Sequence, residues 1–154
     1  MAMHLTDEGL RNRQEWEKHG VRLPEYDRAV MRQKTLEAPV WVHFGAGNIF
    51  RGFIAGLQQR LLDAGLADKG IIAAETFDDE IIDRIYKPFD SLTLMVSLRP
   101  DGGTDREVIA SLAGGLKATP TEEEDWGRLK AILRHPPCRC FPLPLPKRDT
   151  RFGI

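Results

Sequence analysis

The period of the apolar residues changes several times along the chain, and each change marks an element. Thr6 to Lys18 reads as a polar amphipathic helix anchored by Leu10 and Trp16, with a coil-like stretch at Leu23-Pro24-Glu25-Tyr26-Asp27 behind it. After Pro39, Val40-Trp41-Val42-His43-Phe44 is a compact apolar run of buried-strand type. It leads directly into Gly45-Ala46-Gly47-Asn48. Beyond the glycines, Phe50, Phe53, Ile54, Leu57 and Leu61 recur at helical spacing, which predicts a core-facing stripe with Gln58, Gln59 and Arg60 turned outward. Gly65 stands where a helix C-cap glycine belongs. Ile71-Ile72-Ala73-Ala74 is a second buried strand, ending on Glu75.

Further on, Asp78 is placed to cap a short helix through Ile81, Ile82 and Ile85 that Pro88 stops. Leu92, Leu94, Val96 and Leu98 alternate with Thr93, Met95 and Ser97, which predicts a strand with unlike faces. Pro100-Asp101-Gly102-Gly103 is a turn, and Glu107 to Leu112 is strand again. Thr121 with Glu124 forms a capping box for a last helix reaching about Arg134, and the acidic run Glu122 to Asp125 suits the positive end of that helix. Strand, glycine turn, helix, strand is the opening of a parallel α/β sheet with right-handed crossovers. The expected fold is an incomplete Rossmann-like, doubly wound sheet with an N-terminal helical extension and an irregular C-terminal tail.

Composition narrows the partners. The 154 residues carry 22 Lys plus Arg against 23 Asp plus Glu, a net charge of −1, so no global basic field exists to hold nucleic acid or an anionic membrane. No apolar run is long enough to cross a bilayer, and Met1 to Leu10 has no signal-peptide core, so a cytoplasmic protein is expected. Cys138 and Cys140, with His135 nearby, supply fewer ligands than the four of a structural zinc site, and no metal is assigned.

The chemistry lies in two short stretches. Gly45-x-Gly47 falls where a dinucleotide fingerprint belongs, between a hydrophobic strand and an amphipathic helix. Gly45 permits the tight turn and Gly47 lets the backbone approach a pyrophosphate. Ala46 lies within the turn, and amides near Asn48, Ile49 and Phe50 donate to phosphate oxygens. Phe50 takes the place of the usual third glycine, so the helix must stand farther from the strand or turn the ring aside. Arg51 either reaches phosphate or substrate or pairs with a surface carboxylate. Glu75, at the fingerprint's spacing, is expected to accept from the adenosine ribose and to repel a 2′-phosphate, favouring NAD over NADP. His43, inside an apolar strand, reads as a hydrogen-bonded core residue. No Ser-His-Asp, Cys-His or metal-ligand constellation stands out.

His43-Phe44-Gly45-Ala46-Gly47-Asn48-Ile49-Phe50-Arg51-Gly52-Phe53 resembles the N-terminal signature of the mannitol dehydrogenase family, the polyol-specific long-chain dehydrogenases. Leu23-Pro24-x-Tyr26-Asp27-Arg28 and Tyr86-Lys87-Pro88-Phe89-Asp90 are similar to further segments of its longer members. The similarity runs roughly from Trp16 to Pro136, and Phe50 favours the mannitol and hexuronate branch over the mannitol-1-phosphate one. The resemblance implies hydride transfer between NAD(P) and a polyol or keto-sugar without zinc, using a Lys base with Asn and His from a helical C-terminal domain. None of those three matches a position here, and Lys147 is not given the role.

The chain then divides into residues 1–38 as helix and lead-in, 39–136 as a partial NAD-binding domain, and 137–154 as the tail. Codons permitted from Pro137 onward, read in the neighbouring frame, spell a strand resembling the family's own, so a frameshift near Pro137 is expected. Two functions follow: the cofactor-binding part of an oxidoreductase, inactive alone, or a stand-alone nucleotide-binding or regulatory module without turnover.

Overall fold

A computed structural model describes residues 3–136 and 138–141. In chain order the elements are α1 (Arg13–Lys18), β1 (Val21–Arg22), α2 (Arg28–Glu37), β2 (Trp41–Phe44), α3 (Ala55–Asp63) and β3 (Ile71–Glu75). They continue with β4 (Thr93–Leu98), β5 (Thr104–Ile109), β6 (Leu112–Lys117), α4 (Glu123–Leu133) and β7 (Arg139–Phe141). One sheet has the order β6-β3-β2-β7 and is parallel throughout. The other, β1-β5-β4, is an antiparallel β4–β5 hairpin with β1 added parallel to β5.

Strand β3 shows why the first sheet forms. Its side chains alternate between faces: Ile71 and Ala73 join Ala46, Phe50, Ile82, Tyr86 and Leu112, while Ile72 and Ala74 join Val42, Ala113, Leu129 and Ile132. Residues from the helix after β2 cover the first face, and α4 covers the second. Every β3 residue is buried, as the near-continuous apolar run of a parallel strand requires. The sheet is therefore layered on both sides, as the sequence implies.

Several expectations are corrected. The helix after the glycines is turned the other way: Gln58 and Gln59 are buried, whereas Phe53, Leu57 and Leu61 face solvent. The cause is a set of backbone groups left without strand partners. Gln59 donates from Nε2 to the Val108 carbonyl and accepts the Ala110 N–H at Oε1, and Gln58 donates to the Lys69 carbonyl. Buried backbone polar groups must be paired, and the two amides do that. In β4, Leu94, Val96 and Leu98 form the exposed face, while Met95 on the opposite face packs against the core and Leu92 is buried just before the strand begins.

The stretch expected as one strand, Glu107 to Leu112, is the end of β5 and the start of β6. The N-terminal helix is broken into a 3-10 turn, Gly9–Arg11, and α1, with the buried Trp16 indole donating to the Gly9 carbonyl. Helix α2 was not anticipated; Asp27 caps it by accepting the Val30 N–H. Thr121 does not cap α4, which has Glu122 at its N-cap and no side-chain capping bond. Residues 139–141 form β7 against β2 where no strand was expected. Pro137, the rest of the predicted tail and Lys147 lie outside the described residues.

The N-terminal segment is fastened to the sheets by a buried arginine. Arg28 bonds the Asp7 carboxylate and the Asp90 and Leu112 carbonyls, and Asp7 N–H donates to the Asp90 carboxylate.

Candidate dinucleotide site

The parallel sheet runs from β2 outward to β3 and β6, then returns to the other side of β2 with β7. The order reverses at β2, and in open α/β sheets the crevice beyond the strand ends at such a reversal is where ligands bind. The glycine turn leaves β2 at this place.

Gly45 has φ +103, a conformation that side chains rarely adopt, and its N–H donates to the Ala74 carbonyl. That one residue reverses the chain at the strand end. The first intrahelical bond runs from the Arg51 N–H to the Gly47 carbonyl. The N–H groups of Asn48, Ile49 and Phe50 thus precede the helical ladder and point out of its positive end. A Cβ built on Gly47 meets nothing within 4 Å, so the space in front of those amides is open.

Phe50 resolves the missing third glycine by turning its ring aside. The ring is buried and lies flat on the His43 imidazole, with centroids 4.0 Å apart and planes 12° from parallel. The helix accommodates it by widening to a π turn over Phe50–Ile54, closed by the Ala55 N–H bonding the Phe50 carbonyl. His43 is a core residue, as expected. Its Nδ1–H donates to the Gly45 carbonyl at 3.0 Å, and burial pushes its pKa down while that bond opposes the shift.

Glu75 differs from the expectation of a free ribose acid. It is 9% exposed. One carboxylate oxygen accepts the Ala46 N–H at 2.8 Å, and the other accepts the Thr76 and Phe77 N–H groups at 2.9 and 3.0 Å. A carboxylate has about four acceptor positions, and three are occupied by backbone. Ala46 is fully buried, with its N–H held by Glu75 and its carbonyl by the Tyr86 hydroxyl at 3.1 Å. Neither the Ala46 amide nor its side chain therefore faces a ligand. Burial also drives the Tyr86 pKa far up, so the hydroxyl stays a donor.

Arg51 donates to the Asn48 side-chain oxygen, not to a surface carboxylate, while its buried Nε has no partner. It lines a cleft of about 320 Å³ beside the turn, together with Asn48, Gly52, Thr93 and Met95. Ile49 presents its side chain to solvent and offers the site only its N–H. Gly45, Gly47, Asn48, Phe50, Arg51 and Glu75 all lie at or beside the turn that leaves β2. Missed were Tyr86 and the bracing part of Glu75; a buried Tyr inside a quoted motif was the available signal for the first.

The site is thus a glycine turn and a helix N-terminus with open N–H groups at the strand reversal of a parallel α/β sheet. Over 134 residues the chain is 47% identical to the D-mannonate oxidoreductase of Thermotoga maritima, a match covering 87% of this chain and 25% of that protein. Among solved structures it is similar to a D-sorbitol dehydrogenase in substrate-free form, with 26% identity and TM-score 0.57 over 75% of this chain and 22% of that one. It also shares the fold of Pseudomonas fluorescens mannitol 2-dehydrogenase, solved as a ternary complex with NAD and D-mannitol, at 24% identity and TM-score 0.65 over 83% and 25% of the two chains. No family model matches the chain. The chain resembles the mannitol dehydrogenase family over the matched part and spans about a quarter of the length of these relatives. Among the described residues no helix is long and apolar enough to cross a membrane.

Proposed function

We propose that this chain holds the dinucleotide of an NAD-dependent oxidoreductase acting on the CH–OH group of a sugar alcohol or sugar acid. The observation that carries the reading is the open helix N-terminus at the sheet reversal, where Gly47 leaves room and Asn48, Ile49 and Phe50 offer N–H groups. That donor set fits a pyrophosphate. NAD, when bound, gives or takes the hydride. This chain's own work is to bind and orient: Gly45 sets the turn, and His43, Tyr86 and Glu75 hold it from behind. The remaining acceptor position of Glu75 serves a ribose hydroxyl, and its charge disfavours a 2′-phosphate.

Binding without turnover is the expected behaviour of the chain by itself, because the family's Lys, Asn and His match no position in it. Calorimetry with NAD, ADP-ribose and NADP tests this. NAD and ADP-ribose should bind weakly and about equally, since contacts of the pyrophosphate and adenosine dominate, and NADP should bind less well. NADP binding tighter than NAD sinks the part given to Glu75. Turnover of mannitol, fructose or a hexuronate by the chain alone sinks the division of labour.

A further inference from the structure

A cavity of about 810 Å³ lies between the N-terminal segment and α2, and it shares no lining residue with the cleft at Arg51. That volume is in the range of small-molecule sites. Its charged lining is Arg11, Arg13, Arg28 and Arg32 against Asp7 and Asp27, an excess of two positive charges. The carboxylates are already engaged: Asp7 takes Arg28 and Arg32, and Asp27 accepts the Val30 N–H. Arg13 is in use as well, bonding the Pro24 carbonyl and pairing with Glu17 outside the cavity.

Donors remain on the other three arginines. Arg28 is 9% exposed, and its terminal nitrogens bond Asp7 and the Asp90 and Leu112 carbonyls, yet its buried Nε has no partner. A buried N–H without an acceptor is rare and costs free energy. Burial also pulls the Arg28 pKa down; Asp7 opposes that shift and Arg32 adds to it. The guanidinium is short of negative charge. Among the described residues, Arg32 bonds the Ala113 carbonyl through Nε and Asp7 through Nη1, which leaves Nη2, and the Arg11 side chain has no polar partner.

We propose that this cavity binds a small phosphate monoester, its oxygens held by Arg28 Nε, Arg32 and Arg11 and its carbon body laid against Leu10 and Leu23. A phosphate monoester brings close to two negative charges and three strong acceptor oxygens, matching the two excess charges and the three arginines with donors to give. A monocarboxylate brings one charge and two oxygens. Leu10 and Arg11 belong to the N-terminal segment and Arg28 and Arg32 to α2, so an occupant ties the two together and stabilises the fold by mass action.

Titration of the ¹⁵N-labelled chain with phenyl phosphate, followed at the Arg28 Nε–H signal and by calorimetry, tests the proposal. That signal should shift saturably. Inorganic phosphate, with no carbon body to bury, and benzoate, with one charge, should each bind about tenfold more weakly or worse. Arg11→Gln removes a side chain without polar partners, so it should keep the parent's urea midpoint while weakening phenyl phosphate about tenfold. ADP-ribose, which belongs at the glycine turn, should not displace it. An unmoved Arg28 Nε–H signal, undiminished affinity in Arg11→Gln, or displacement by ADP-ribose overturns the site. Benzoate binding as tightly as phenyl phosphate overturns the assignment to phosphate.

Discussion

Replacing Glu75 should damage the fold before it alters cofactor choice. Its carboxylate receives three backbone N–H groups, from Ala46, Thr76 and Phe77. A hydrogen bond to a charged group contributes about 1.5–3 kcal/mol. The Ala46 donor is buried and has no water to turn to, so about 2 kcal/mol falls to that bond alone. The Thr76 and Phe77 donors are partly exposed, and about 1 kcal/mol each is reasonable. Glu75→Ala should then cost about 3–4 kcal/mol, a large share of the 5–15 kcal/mol that holds an ordinary domain together. Glu75→Gln keeps one acceptor oxygen and turns an NH₂ toward the other donors, so it should cost about 2 kcal/mol. With a urea slope near 2 kcal/mol per molar, the midpoints should fall by about 1.5–2 M and about 1 M, with the slope unchanged. A Gln variant within about 0.2 M of the parent refutes the bracing role. Surviving variants should weaken NAD and ADP-ribose together, because the turn that carries the pyrophosphate amides has lost its anchor.

Gly45→Ala should cost about 1–3 kcal/mol in urea unfolding, since φ +103 strains any side chain; a neutral change refutes the turn's dependence on glycine. His43 makes stability pH-dependent. Burial holds its folded pKa below the ordinary value near 6.5, so the unfolded chain takes up a proton where the folded ring does not. Its contribution is complete above about pH 6.5 and declines as the pH falls from there toward the folded value. The midpoint of His43→Asn should accordingly drop less than the parent's between pH 7.5 and 5.5, and equal drops contradict the assignment. Sequencing the coding DNA should reveal the family strand in the neighbouring frame from Pro137; a shifted frame without it ends the frameshift reading.

What could be read from the sequence was whatever a single periodicity or a forced backbone angle determines. β2 and β3 are buried on both faces, so continuous apolar runs announce them, and Gly45 and Gly65 are glycines because the chain turns through positive φ at both. The orientation of the helix after the turn was not readable. Its residues Phe53, Leu57 and Leu61 make a better apolar stripe than the face that is buried, and only the unpaired backbone at Lys69, Val108 and Ala110 explains why Gln58 and Gln59 go inward. Val108 and Ala110 lie 49 and 51 residues from Gln59, and none of the three groups has a local signature. The same holds for Glu75: spacing located it at the strand end, but its bond to Ala46 across 29 residues depends on the parallel pairing of β2 with β3. Helix α2 went unseen because its anchor is a charged residue, Arg28, buried only by virtue of Asp7 and two carbonyls.

The most direct measurement is ADP-ribose binding, by ligand-observed NMR, to the parent chain and to Gly47→Val. The added side chain meets no protein atom at its Cβ and enters the space in front of the Asn48, Ile49 and Phe50 amides, so the fold should survive while the pyrophosphate is shut out. Saturable binding to the parent and none to a folded Gly47→Val chain is the expected result. Equal binding to both, or none to the parent, contradicts a dinucleotide site at the glycine turn.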